Sequence, residues 1–72
     1  MEYTIILDPD EESQGYTVTV PALPGCITQG RTKEEAIGRA REAIALYIES
    51  LQAEGLPIPQ ETRPIEVLKV AV

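Results

Sequence analysis

Residue types that commonly perform chemistry are scarce in this chain. It has no histidine and one cysteine, Cys26. A serine or cysteine nucleophile activated by a neighbouring imidazole is therefore excluded. So is a structural zinc site, which needs a cluster of Cys and His ligands. Lys33 and Lys69 are the only lysines, and neither is assigned a catalytic role. The densest acidic group is Asp8, Asp10, Glu11 and Glu12. It lacks the ligand spacing of a calcium loop and falls in a loop and not a cleft, so it reads either as a solvated acidic loop or as an electrostatic contact for a basic partner. Cys26 follows a glycine, with no adjacent His or Lys to activate it, and is expected to be a small buried residue. Gly25 and Gly30 make neither a Walker loop nor a GxGxxG pattern. The expectation is a non-enzymatic protein with no catalytic residues, no cofactor and no metal.

These residues are carried by a short series of elements. Residues 2–8 alternate, with Tyr3, Ile5 and Leu7 on one side and Glu2, Thr4 and Asp8 on the other, the pattern of a strand with one buried face. Ile6 breaks the polar side. Residues 8–15 form a loop, in which Pro9 cannot donate to a sheet and Gly15 could adopt positive φ. Tyr16, Val18 and Val20 then alternate with Thr17 and Thr19, which predicts an antiparallel hairpin. Pro21-Ala22-Leu23-Pro24-Gly25 interrupts the sheet, and a short third strand spans 26–29. Tyr3 and Tyr16 fall on core faces and Tyr47 on a helix stripe, so the exposed aromatic platform of an RNA-binding sheet is missing.

The helix is the best-marked element. Thr32 as N-cap with Glu35 three residues later makes a capping box. Ile37, Ala40, Ile44, Tyr47, Ile48 and Leu51 form one apolar stripe, and Leu46 lies opposite it. Gly55 as C′ and Leu56 as C″ predict a Schellman stop, sealed by Pro57. Residues 64–72 read as a last strand, with Ile65 and Val67 apolar on one face and Leu68, Val70 and Val72 apolar on the other. Such a strand is bulged or covered on both faces. The predicted architecture is α+β, in the order β-β-β-α-β, with one helix on one face of an antiparallel sheet and a single domain over 1–72.

Size and charge say how such a fold could be completed. A chain of 72 residues has a core that rarely supplies more than about 3–5 kcal/mol. With disulfides and zinc excluded, self-association remains, and Leu68, Val70 and Val72 are the candidate interface. The result would be a dimer or a tetramer. Twelve Asp and Glu against six Lys and Arg give a net charge of −6. That makes nucleic acid a poor direct ligand and suits a basic protein partner. No run approaches the ~20 apolar residues of a membrane span, the N-terminus lacks a signal-peptide pattern, and one unpaired thiol suits a reducing cytoplasm.

The run Gly15-Tyr16-Thr17-Val18-Thr19-Val20-Pro21-Ala22-Leu23-Pro24-Gly25-Cys26, followed by Gly30-x-Thr32-x-Glu34-Glu35-Ala36 and by Gly55-Leu56-Pro57-Ile58-Pro59, resembles the HicB-type antitoxins over nearly the whole chain. The resemblance implies a β-β-β-α-β, partial ribonuclease-H-like fold. It also implies a homo-oligomer that neutralises a HicA-type toxin, a small basic mRNA-cleaving ribonuclease, by covering its RNA-binding or catalytic surface. In that setting Asp8, Asp10, Glu11 and Glu12 would guide the basic partner, and Leu23, on a stiff Pro-Gly turn, would anchor it. Pro21, Pro24, Gly25, Gly30 and Thr32 would shape the backbone. The family often has acidic residues where this chain has Ala22 and Arg31, and many members add a DNA-binding domain, which residues 1–72 do not include, so autorepression is not carried over. The competing expectation is an orphan HicB-like scaffold or ligand-binding protein with no cognate toxin.

Overall fold

The computed structural model describes residues 1–72. Three strands, β1 (Ile6–Pro9), β2 (Tyr16–Thr19) and β3 (Ile27–Gly30), precede one helix, α1 (Lys33–Ala53). The strands form an antiparallel sheet in the order β1-β2-β3, so the α+β class and the order of the first four elements are as the periodicity predicts. Leu7 lies opposite Val18, and Val18 opposite Thr28. Directly paired residues share a face, so this row turns toward the helix. The next row, Ile6–Thr19–Ile27, turns away from it.

The alternation of β1 and β2 resolves into two small clusters under α1. Val18 packs with Ala36 and Ala40, flanked by Ile5, Leu7 and Tyr16. Val20 packs with Leu23 and Cys26, flanked by Tyr3, Ile5, Ala43, Ile44 and Tyr47. The centre of the helix's buried stripe is therefore alanine. Ala36 and Ala40 are fully buried, while Ile37, Ile48 and Leu51 are only half-buried. The reason is the close approach of α1 to β3: a Cβ on Gly30 would stand 2.5 Å from the Ala36 nitrogen. Only small residues leave room for two backbones at that separation. Gly15 also acts by lacking a side chain, since a Cβ there would meet the Gly30 carbonyl at 2.7 Å, and the positive φ in this loop belongs to Gln14.

Both ends of α1 follow their local signals. The Thr32 side chain accepts from the Glu35 N–H, filling one of the orphan donors of the first turn. The Glu35 carboxylate reaches back to the Arg31 N–H, one residue earlier than in a standard capping box. At the other end Gly55, at φ +70, donates to Gln52 and Leu56 donates to Leu51, the paired bonds of a Schellman motif.

The predicted last strand over 64–72 is corrected. These residues form no strand in the single chain, and Val67, Leu68, Val70 and Val72 are largely exposed. A strand exists only through hydrogen bonds to a neighbour, and after the end of α1 the hydrogen bonds to the sheet region come from the connector. The Tyr3 hydroxyl donates to the Pro59 carbonyl, and Thr4 donates through its N–H and its hydroxyl to the Glu61 carboxylate. Beyond Glu61 the ribbon has no partner strand.

Candidate partner-binding surfaces

Asp10, Glu11 and Glu12 lie on the loop between β1 and β2, Asp8 lies within β1 beside it, where it pairs with Thr17, and all four are exposed. Within the loop Asp10 has a structural task. Its carboxylate accepts from the Ser13 hydroxyl at 2.9 Å and from the Glu12 N–H at 3.0 Å, an Asx-type turn that holds the loop. The Ser13 hydroxyl, and after it the Glu12 N–H, hold the Asp10 carboxyl below its ordinary range. Asp10 thus stays charged while serving the turn, and Asp8, Glu11 and Glu12 present their carboxylates outward.

Leu23 does not join this surface. It is fully buried, and its expected role as an exposed anchor is corrected. The Pro21–Gly25 turn folds inward: Leu23 donates to the Val20 carbonyl, Cys26 to the Leu23 carbonyl and Val20 to the Cys26 carbonyl. The Tyr47 hydroxyl donates to the Pro24 carbonyl at 2.8 Å and ties the turn to α1. Gly25 supplies the reversal at φ +81. The stiffness expected of this segment thus drives Leu23 into the chain's own core. Cys26 is buried beside it, as its sequence neighbours suggest, and burial pushes its thiol up from the ordinary value.

Three surfaces remain open. An open polar cleft runs between the acidic loop and the start of α1, lined by Asp10, Ser13, Tyr16, Gln29, Arg31 and Glu35. Arg39, at its rim, is paired with Glu35 at 3.4 Å, an exposed contact of little energetic weight. No three His, Cys, Asp or Glu side chains converge to hold a metal ion. A shallow apolar depression on another side is flanked by Ile27 and Leu46, 62% and 65% exposed. Its helical angle places Leu46 off the core stripe, whereas Ile27 is legible only once β3 is known to pair with its Thr28 face inward. The third surface is the ribbon, with Leu68, Val70 and Val72 on one side and Val67 on the other. No helix is long and apolar enough to cross a membrane.

Comparison with known proteins bears on what these surfaces serve. Residues 3–71 match the family model described as HicB_like antitoxin of bacterial toxin-antitoxin system. The chain is 52% identical over 61 residues to the UPF0150 protein Ta0767 of Thermoplasma acidophilum, covering 85% of this chain and 87% of that one. It is 46% identical over 70 residues to the UPF0150 protein ssr1765 of Synechocystis, covering 97% of this chain and 87% of that protein. It is also 39% identical over 61 residues to Antitoxin HicB 1 of Photorhabdus laumondii, covering 82% of this chain but 39% of that longer protein.

Proposed function

The chain belongs to the HicB_like antitoxin family of bacterial toxin-antitoxin systems, and from that premise we propose that it is a non-enzymatic antitoxin whose partner is a basic, HicA-type mRNA-cleaving toxin. It neutralises the toxin by covering the toxin's RNA-binding or catalytic surface, and it works in the cytoplasm, where the unpaired Cys26 stays reduced. The observation that carries this reading is the family match over residues 3–71. The acidic surface supports it. A chain of net charge −6 displays Glu11 and Glu12 on a loop held in shape by Asp10, with Asp8 at the end of β1 beside them, and a patch of one sign raises the encounter rate with a partner of the other. The protein acts as a homo-oligomer, with Leu68, Val70 and Val72 between copies, because these side chains have no cover within one chain.

The test is direct. Purified protein in molar excess over the toxin encoded beside it abolishes mRNA cleavage; undiminished cleavage refutes the antitoxin reading and leaves the orphan-scaffold alternative standing. Reversing the charges of Asp8, Glu11 and Glu12 together slows association more than it speeds dissociation, and added salt shrinks the difference. An unchanged association rate removes this loop from the encounter.

A further inference from the structure

We propose that the open edge of β3 receives an extended strand of the basic toxin, with an apolar residue of that strand seated between Ile27 and Leu46 and its lysine or arginine side chains beside Glu42 and Glu49. This deepens the antitoxin reading and rests on it.

The edge has free backbone groups. β3 is an outer strand of the sheet. The Val20 N–H donates to the Cys26 carbonyl, which extends the register pairing Val18 with Thr28 and Tyr16 with Gly30. Bonded and non-bonded pairs alternate along an antiparallel ladder, so the N–H and C=O groups of Ile27 and Gln29 point away from β2. No other element of the chain takes them up. Exposed edges are commonly blunted by charge or proline. Ile27-Thr28-Gln29-Gly30 has neither, and only its shortness protects it.

Side chains on both sides of this edge lack cover. Ile27 stands on the outer face of the sheet and Leu46 on the helix side, and both are largely exposed. The shallow depression that joins them is lined also by Cys26, Ala43 and Tyr47. An element laid on one face of the sheet would cover one of the two. A strand in line with the sheet lies beside both, because its side chains alternate between the faces. In such an addition the main-chain bonds give affinity and the alternate side chains give specificity.

Charge selects the occupant. Glu42 and Glu49 lie four residues before and three residues after Leu46, which makes them its neighbours on the helix surface. Both are exposed, and neither is ion-paired, since the salt bridge of this chain joins Arg39 to Glu35. A second copy meeting this edge across a two-fold axis would bring its own Glu42 and Glu49 toward them, and like charges at a contact suppress pairing. A basic strand neutralises them instead. The position suits delivery as well. The polar cleft lined by Asp10, Ser13, Gln29 and Arg31 joins the acidic loop to the end of β3, so a partner steered in by the loop arrives beside this edge.

The experiment uses the full chain and the purified toxin encoded beside it. Amide hydrogen exchange is read residue by residue with and without toxin, and affinity is measured for the wild type and two variants. The Ile27 and Gln29 amides should exchange freely in the chain alone and slow about tenfold or more in the complex. Leu46→Lys places a cation where the basic strand must sit, and Gln29→Pro deletes an outward N–H while keeping the bonds to β2. Each should weaken binding about tenfold or more. Leu46 is largely exposed, so its variant should keep the wild-type melting temperature. Binding and inhibition with exchange at these two amides unchanged, or with Leu46→Lys neutral, overturns the edge pairing and leaves the antitoxin reading intact. Protection that appears without toxin and grows with protein concentration gives the edge to a second copy and overturns the proposal. A toxin that neither binds nor loses its cleavage activity overturns the antitoxin reading, and the edge pairing with it.

Discussion

Replacing Leu23 with alanine separates an internal role from a partner-facing one. The side chain is fully buried with Val20 and Cys26, and Tyr3, Ile5, Ala43, Ile44 and Tyr47 pack against the cluster they form. Truncating a buried leucine costs about 2–5 kcal/mol, and the upper part of that range applies where the surroundings cannot collapse into the gap. Here they are tied: three backbone bonds close the turn around Leu23, and the Tyr47 hydroxyl holds Pro24. A loss of about 3 kcal/mol is the working value. A core of this size supplies only about 3–5 kcal/mol, so the variant is left close to the unfolding threshold. With a urea m-value of about 1 kcal/mol per molar for so small a domain, the midpoint should fall by about 3 M. Urea unfolding followed by far-ultraviolet circular dichroism, at matched protein concentration, measures it. A variant with an unchanged midpoint that had lost its toxin would refute this reasoning, because Leu23 would then be spending its contacts outside the chain.

Other substitutions probe separate joints of the fold. Gly30→Ala forces a Cβ to within 2.5 Å of the Ala36 nitrogen and should cost about 1–3 kcal/mol by overpacking; thermal unfolding at the wild-type midpoint would show that α1 can move away from β3 freely. Thr32→Ala removes the acceptor of the Glu35 N–H and should cost about 1 kcal/mol, with Thr32→Ser restoring most of it in the same melt. The bonds from the Thr4 hydroxyl and then the Thr4 N–H hold the Glu61 carboxyl below its ordinary range. A depressed folded-state pKa stabilises the fold above the unfolded value and loses that contribution as pH falls through the folded one. The Thr4 amide resonance should therefore titrate with a midpoint below that of a free glutamate, and Glu61→Gln should abolish that titration. A midpoint at or above that of a free glutamate would mean the connector is not docked at Thr4.

Several features could be read without coordinates because their causes are local. Thr32 and Gly55 bound α1 through bonds reaching only three to five residues along the chain. The faces of β1 and β2 follow from alternation, and Leu46 lies off the core because its angle on the helix puts it there. The acidic loop is equally plain, although the duty of Asp10 within it depends on the positions of Ser13 and Glu12. Gly30 could be marked as the end of a strand, but its contact with Ala36 could not, because that depends on how closely a helix settles on a sheet.

Sequence alone therefore determined the order of strands and helix, the helix ends, the charge of the acidic loop and the family resemblance, all of which live in residue type and short-range spacing. Tertiary structure decided the rest. It turned Leu23 inward, since a turn's direction depends on what waits beneath it, here the Tyr47 hydroxyl, 23 residues from the Pro24 carbonyl that it bonds. It centred the helix stripe on alanines, since that depends on the separation of two backbones. And it left residues 64–72 unpaired, since an apolar alternation states only that a segment could be a strand, while the neighbour that makes it one has to be supplied in space.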